Sequence, residues 1–226
     1  MGNRRRCRRL PPEQEDLKKR VSACDACFEL DGTSFDERGR PLRVPRRDTL
    51  AHRLQTCVKT HGYRVSRHNR ILKILNGMLK RRKFRTLKEP VIATSRGRRI
   101  PDLIAHTDND DCPSLGRKTY VLDVAICGDN LTNPDQLNLE KTNYYQVVPE
   151  VRNFAKDFGC EVMEFGGVVF SWRGIPSPGT VRLLTSLGLR RKQLELLAQV
   201  VVEQGVYMFR AWKSSGHRLA PRARGL

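Results

Sequence analysis

Between residues 67 and 82 apolar side chains recur at helical spacing: Ile71, Leu75, Met78 and Leu79, with Leu72 and Ile74 beside them, make one broad stripe. That period predicts an amphipathic helix whose basic residues fall mostly off the buried face. The pattern then shortens. EPVIAT (89–94), IPDLIAH (100–106) and TYVLDVAIC (119–127) are bounded by a Gly/Arg turn and an acidic stretch over 107–118, and they predict three strands in a hairpin or meander. A helix follows over 135–148, and Pro149 opens a second through 158, because proline is tolerated at a first helical position. CEVMEFGGVVFSW (160–172) predicts a fourth strand. A short helix over 179–188 precedes a last one, packed through Leu194, Leu197, Val201, Met208, Phe209 and Trp212. The order α-β-β-β-α-β-α-α makes this an α/β (α+β) chain.

Two aspartates interrupt the strand pattern. Asp102 and Asp123 stand inside apolar runs, where a carboxylate costs several kcal/mol unless compensated. Either a cation lies between them or the strand ends are exposed. Taken singly, Asp102 could cap a turn after Pro101 and Asp123 could end a strand. Taken together with a lysine on the next helix, they form a constellation that suits a hard divalent cation, Mg2+ or Mn2+, acting on a phosphodiester. Lys141 would orient water or steady developing charge, and Tyr145, one turn on, shares its face and could meet phosphate or pack on the sheet. Glu89 is a weaker third acid, since just before Pro90 it could merely start a strand.

Charge supports a polyanionic partner. The chain holds 43 basic and 24 acidic residues, a net +19, which fits nucleic acid or the generic basic surface of a ribosomal protein. Residues 101–170 reverse the balance, with 5 basic and 12 acidic residues, so an acidic centre lies in a basic frame. Arg64, Arg67, Arg70, Lys80, Arg81 and Arg82 are the candidate phosphate contacts, which would position a duplex without reading its sequence. His68 reads as a structural or helix-start residue rather than a catalytic one. No run is long and apolar enough to predict a membrane span.

Cys24-x2-Cys27 with His52-x4-Cys57 supplies three thiols and an imidazole, a set that suits tetrahedral zinc. The middle of this unit, ELDGTSFDERGRPLRVPRR, reads as a loop or insertion. Cys7, Cys112, Cys127 and Cys160 lack ligand spacing, and the seven cysteines favour a reducing compartment.

TLAHRLQTC (49–57), RHNRI (67–71), EP (89–90), RRIPDL (98–103), VLDVAI (121–126), EKTNYY (140–145) and SWRG (171–174) carry a resemblance over about residues 24–176. The chain resembles the restriction-like PD-(D/E)XK endonuclease domain, with its upstream CCHC zinc knuckle, of site-specific non-LTR retrotransposon polyproteins. The resemblance implies a mixed sheet flanked by helices, Mg2+ (or Mn2+) at Asp102 and Asp123, and Zn2+ at the knuckle. It implies a nuclear DNA endonuclease that nicks its target to prime reverse transcription, with target DNA and element RNA as partners. Ala125 stands where the superfamily lysine normally lies, which makes Lys141 its replacement. Against the family's shorter knuckle, residues 28–48 are an insertion. The expected organisation is a basic arm (1–20), the knuckle (21–62), the nuclease core (63–176), carboxyl-terminal helices (177–213) and a basic tail (214–226). The reverse transcriptase domain is absent from this chain. Two alternatives stay open: a catalytically inactive zinc-knuckle module that binds nucleic acid, and a basic structural protein of a ribonucleoprotein.

Overall fold

The computed structural model describes residues 23–36, 38–47, 49–107, 117–128, 133–160 and 162–214. The expected basic arm, Cys7, Cys112, most of the acidic stretch and nearly all of the basic tail lie outside the described residues.

The amino-terminal unit corrects the first expectation. Its middle, expected as a loop or insertion, is a hairpin and not a loop: β1 (Ala23–Phe35) pairs antiparallel with β2 (Pro41–Arg47). Asp36 closes it, its Oδ1 accepting from the N–H groups of Arg38 and Arg40 at 2.9 Å each, while Gly39 takes φ +71°. A turn aspartate and a glycine three residues on were the local signal for it. The helix α1 (Leu50–Gln55) follows, capped by Thr49, whose hydroxyl accepts from His52 N–H.

After a single 3-10 turn comes α2 (His61–Arg81), which starts a turn and a half earlier than its apolar stripe implies. The segment expected as one strand over 89–94 is broken. β3 (Arg85–Lys88) ends before Pro90, and β4 (Ile92–Thr94) forms a separate hairpin with β5 (Gly97–Arg99). Proline has no N–H to continue a ladder, so the break falls there.

The main sheet has the order β3-β6-β7-β8, with β6 (Leu103–Thr107), β7 (Lys118–Cys127) and β8 (Met163–Ser171). β3, β6 and β7 form an antiparallel meander whose first strand, Arg85–Lys88, lies before the expected 89–94 segment, and β8 joins β7 in parallel through the crossover α3 (Pro134–Gln146) and α4 (Pro149–Phe158). Then come α5 (Pro178–Ser186) and α6 (Arg191–Ser214). One sheet face packs Leu103, Leu122, Val168 and Phe170 against Leu72, Leu75 and Leu79 of α2 and Leu197 and Val201 of α6. The other packs Ile104 and Val121 against Tyr145, Val151 and Ala155. Each such buried aliphatic contributes ~1.5–3 kcal/mol, so β7, covered on both faces, anchors the fold. A mixed sheet flanked by helices on both sides is the architecture expected, and it is consistent with a restriction-endonuclease-like fold.

Candidate active site and metal centres

Alternation along β7 turns Leu122 and Val124 under α2 and Asp123 toward α3. Asp102 lies in the bend just before β6. Leu103 pairs with Leu122, so one residue back Asp102 stands opposite Asp123. Asp102 Oδ2 accepts from Val124 N–H at 2.6 Å and lies 3.0 Å from His68 Nε2. Asp123, only 5% exposed, accepts from the Tyr145 hydroxyl at 3.0 Å through Oδ1 and meets Lys141 Nζ at 2.6 Å through Oδ2. Asp102, Asp123, Lys141 and Tyr145 are thus brought together.

The electrostatics follow from that packing. Burial, then the charge of Asp102, raises the Asp123 carboxyl above its ordinary value, while Lys141 and Tyr145 pull it back down. Burial and the adjoining Asp123 push the Tyr145 phenol well above its usual range, so it stays protonated and donates. The hydrogen bond to Asp102 raises His68 above 6.5.

The position of α3 is set by a polar anchor and by a missing side chain. Asn133 caps its start, accepting from Asp135 N–H at 3.0 Å, and Pro134 fills the first turn. Asn138 Nδ2 donates to Gly167 O and also lies 3.3 Å from Ser177 Oγ, which ties the helix to β8 and to the start of α5. Gly167 pairs directly with Asp123 across the β7–β8 ladder. A Cβ there would sit 3.1 Å from both Asn138 Cα and Lys141 Cβ, so glycine is what lets the helix approach.

Glu89 is not drawn in. Its side chain is exposed and pairs with Lys88 at 3.1 Å, a correction to its expected place among the metal-site acids. Its backbone does participate: φ is +49°, a left-handed conformation a residue before proline rarely adopts, and its N–H donates to Asp102 O at 3.0 Å.

The second centre is closed. Cys24, Cys27, His52 and Cys57 are all buried, and their donor atoms lie within 4.8 Å of one another. Cys57 Sγ is 3.8 Å from the sulfurs of both Cys24 and Cys27. Tetrahedral zinc with bonds of about 2.3 Å separates its sulfurs by about 3.8 Å, so the cluster has the size and donor chemistry of a Cys3His zinc site. Burial, then the neighbouring thiols, pushes Cys57 up to about 11. Thr56 Oγ1 lies 3.0 Å from His52 Nδ1, an outer contact of the kind that fixes a ligand imidazole. The hairpin is what brings the two halves of the set together across a 24-residue gap.

The chain is 29% identical over 161 residues, 70% of its length, to the Retrovirus-related Pol polyprotein from type-2 retrotransposable element R2DM of Drosophila melanogaster. It is 27% identical over 182 residues, 77% of its length, to the corresponding polyprotein from type-1 retrotransposable element R2 of Nasonia vitripennis. Its homologues are R2 retrotransposon polyproteins. The chain spans 14% and 16% of the length of those two relatives. No protein-family model matches it.

The basic candidates divide. Arg70, Lys80 and Arg81 are exposed, whereas Arg67 is 2% exposed and corrects the expectation of a phosphate contact. Its Nη2 donates to Leu54 O at 3.2 Å and Gln55 Oε1 at 3.3 Å, so it joins α2 to α1, and burial lowers its pKa to about 10. Arg64, half-buried, donates to Cys57 O at 2.6 Å and braces the cysteine centre. Arg82, also half-buried, packs over Gly188, where an added Cβ would strike its guanidinium.

His68 was the residue whose place the sequence concealed. It lies within α2 rather than at its start, and only the docking of that helix on the sheet brings its ring to Asp102. Asn138 and Gly167 were likewise not singled out. The GG pair inside a strand was the available signal, since glycine in a strand interior marks close backbone approach.

Proposed function

We propose that the chain is a Mg2+- or Mn2+-dependent DNA endonuclease unit of a retrotransposon-related protein, nicking target DNA so that a free 3′ end primes reverse transcription. The observation that carries this reading is the convergence of Asp102, Asp123, Lys141 and Tyr145 on one point of the β6–β7 pair. Similarity to R2 polyproteins supports the retrotransposon part of it.

Asp102 and Asp123 would supply the oxygen donors for the divalent ion, and Asp102 Oδ1 takes no hydrogen bond among the described residues. Such an ion supplies charge neutralisation at the phosphoryl oxygens and acidifies water. Lys141, about one-third exposed at its side chain, reaches both Asp123 and solvent, the position from which an ammonium holds a water or stabilises negative charge on phosphate. Tyr145 fixes the Asp123 carboxylate by donating to it, and His68 does the same for Asp102. Zinc at Cys24, Cys27, His52 and Cys57 would tie the hairpin to α1 and stabilise a unit with little apolar core of its own.

A second reading is a nucleic-acid-binding module with an inactive centre. It draws on the fact that protein donors already compensate both carboxylates. Plasmid nicking separates the two. With Mg2+ the parent nicks supercoiled DNA; EDTA, Asp102→Ala, Asp123→Ala and Lys141→Ala each abolish nicking, while the Ala variants still bind. Absence of metal-dependent nicking by the parent leaves the binding module, and undiminished nicking by Lys141→Ala removes the lysine from the mechanism.

A further inference from the structure

A groove of about 570 Å³ lies where α1, the turn after β8 and α6 meet, lined by Leu50, Leu54, Trp172, Val202, Val206 and Phe209. It is well within the size range of small-ligand sites. Leu50, Val202 and Val206 are 45%, 41% and 44% exposed, so the apolar floor opens to solvent. Arg173, Arg210 and Lys213, all exposed, border it, and among the described residues no carboxylate does. The Arg173 guanidinium lies over the Trp172 ring, 5.0 Å from its centre, which puts a cation at one edge of the groove. The indole N–H of Trp172 is buried with no acceptor among the described residues.

The groove lies beyond the carboxyl end of β7, against α6, whereas Asp123 turns toward α3 on the other sheet face. The backbone N–H of Trp172 donates to Cys127 O at 3.0 Å, at the carboxyl end of β7. Cys127 is four residues past Asp123 on the same strand, about 13 Å at roughly 3.3 Å per residue.

From an apolar slot with an indole wall and three cations on its border, we infer that the groove takes an unpaired nucleobase of the bound DNA. The base stacks on Trp172, and the flanking phosphates lie against Arg173, Arg210 and Lys213. The cationic border is what selects a nucleic acid strand over an apolar peptide. This inference rests on the chain handling DNA, and not on its cutting DNA.

The test is binding in EDTA, which leaves nicking out of the readout. The protein carries Trp212→Phe, which keeps an aromatic ring over Arg53 and leaves Trp172 as the one indole. The probes are a duplex with a short oligothymidylate gap and the same duplex with abasic residues in the gap, which keeps every phosphate and removes every base. The thymine gap quenches Trp172 emission and binds about tenfold more tightly than the abasic gap. Val206→Glu, at an exposed position that tolerates substitution, obstructs the slot and abolishes that preference. Equal affinity of the parent for both gaps overturns the inference and leaves the groove to a polypeptide. A preference that survives Val206→Glu also overturns it, because the bases are then read elsewhere. If the chain binds and discriminates yet does not nick, the endonuclease reading fails while this one stands.

Discussion

Replacing Gly167 with alanine probes how closely α3 must approach the sheet for the site to form. The new Cβ would lie 3.1 Å from Asn138 Cα and Lys141 Cβ and 3.2 Å from Asn138 O. Two of these three atoms are helix backbone, which cannot rotate aside. Comfortable carbon–carbon contact begins at about 3.5 Å, so the helix must withdraw by roughly half an ångström. Gly167 is the ladder partner of Asp123, and the withdrawal therefore opens the Lys141–Asp123 and Tyr145–Asp123 contacts, now 2.6 and 3.0 Å. A displacement of about 1 Å at a reacting centre can cost about 100-fold, so half of that predicts about tenfold, or about 1.4 kcal/mol of barrier. Overpacking costs ~1–3 kcal/mol, partly offset by about 0.4–1 kcal/mol from the stiffer unfolded chain, so the unfolding midpoint should fall by only a few degrees. The assay is the single-turnover rate of plasmid nicking with Mg2+. Gly166→Ala is the control: its Cβ meets the end of the Leu183 side chain on the opposite face, away from α3. It should lower stability and leave the rate within about twofold. An unchanged rate in Gly167→Ala, or an equal loss in Gly166→Ala, refutes the reasoning.

Three further outcomes are expected. The parent should carry about one zinc ion per chain by elemental analysis, and Cys57→Ser should lose it and unfold at a lower temperature; full zinc content in the variant would remove Cys57 from the site. Arg81→Ala should reduce the slope of log affinity against log salt for duplex DNA by about 0.9, whereas Arg67→Ala should leave that slope unchanged and lower stability; the reverse assignment would show that Arg67 reaches phosphate. Asp123→Asn removes a carboxylate that burial and Asp102 penalise, so in EDTA the unfolding midpoint should rise by about 2–4 °C while nicking is abolished, and a fall instead would mean that the Lys141 and Tyr145 contacts outweigh the burial cost.

Much of the architecture was readable along the chain because its signals are local. The stripe through Ile71, Leu75, Met78 and Leu79 fixes the buried face of α2, and the alternation around Asp123 assigns β7 as a strand. Cysteine spacing named the four residues that later meet in one buried cluster. Where local signals were mixed, the reading slipped: Pro90 sits inside an apolar run, and the break it causes moved one strand from the main sheet into a separate hairpin. Arg67 and Arg64 looked like neighbours in a basic patch, since composition records charge and not which helix face is covered.

Helix and strand periods are set by the backbone geometry of consecutive residues, so the sequence by itself determined the elements, their buried faces and the residue types available for chemistry. Which distant groups touch depends on strand order, register and helix docking. The tertiary structure alone therefore set Asp102 against Asp123, brought His68 from α2 to the carboxylate, and used the absent side chain of Gly167 to seat Lys141 beside its partner.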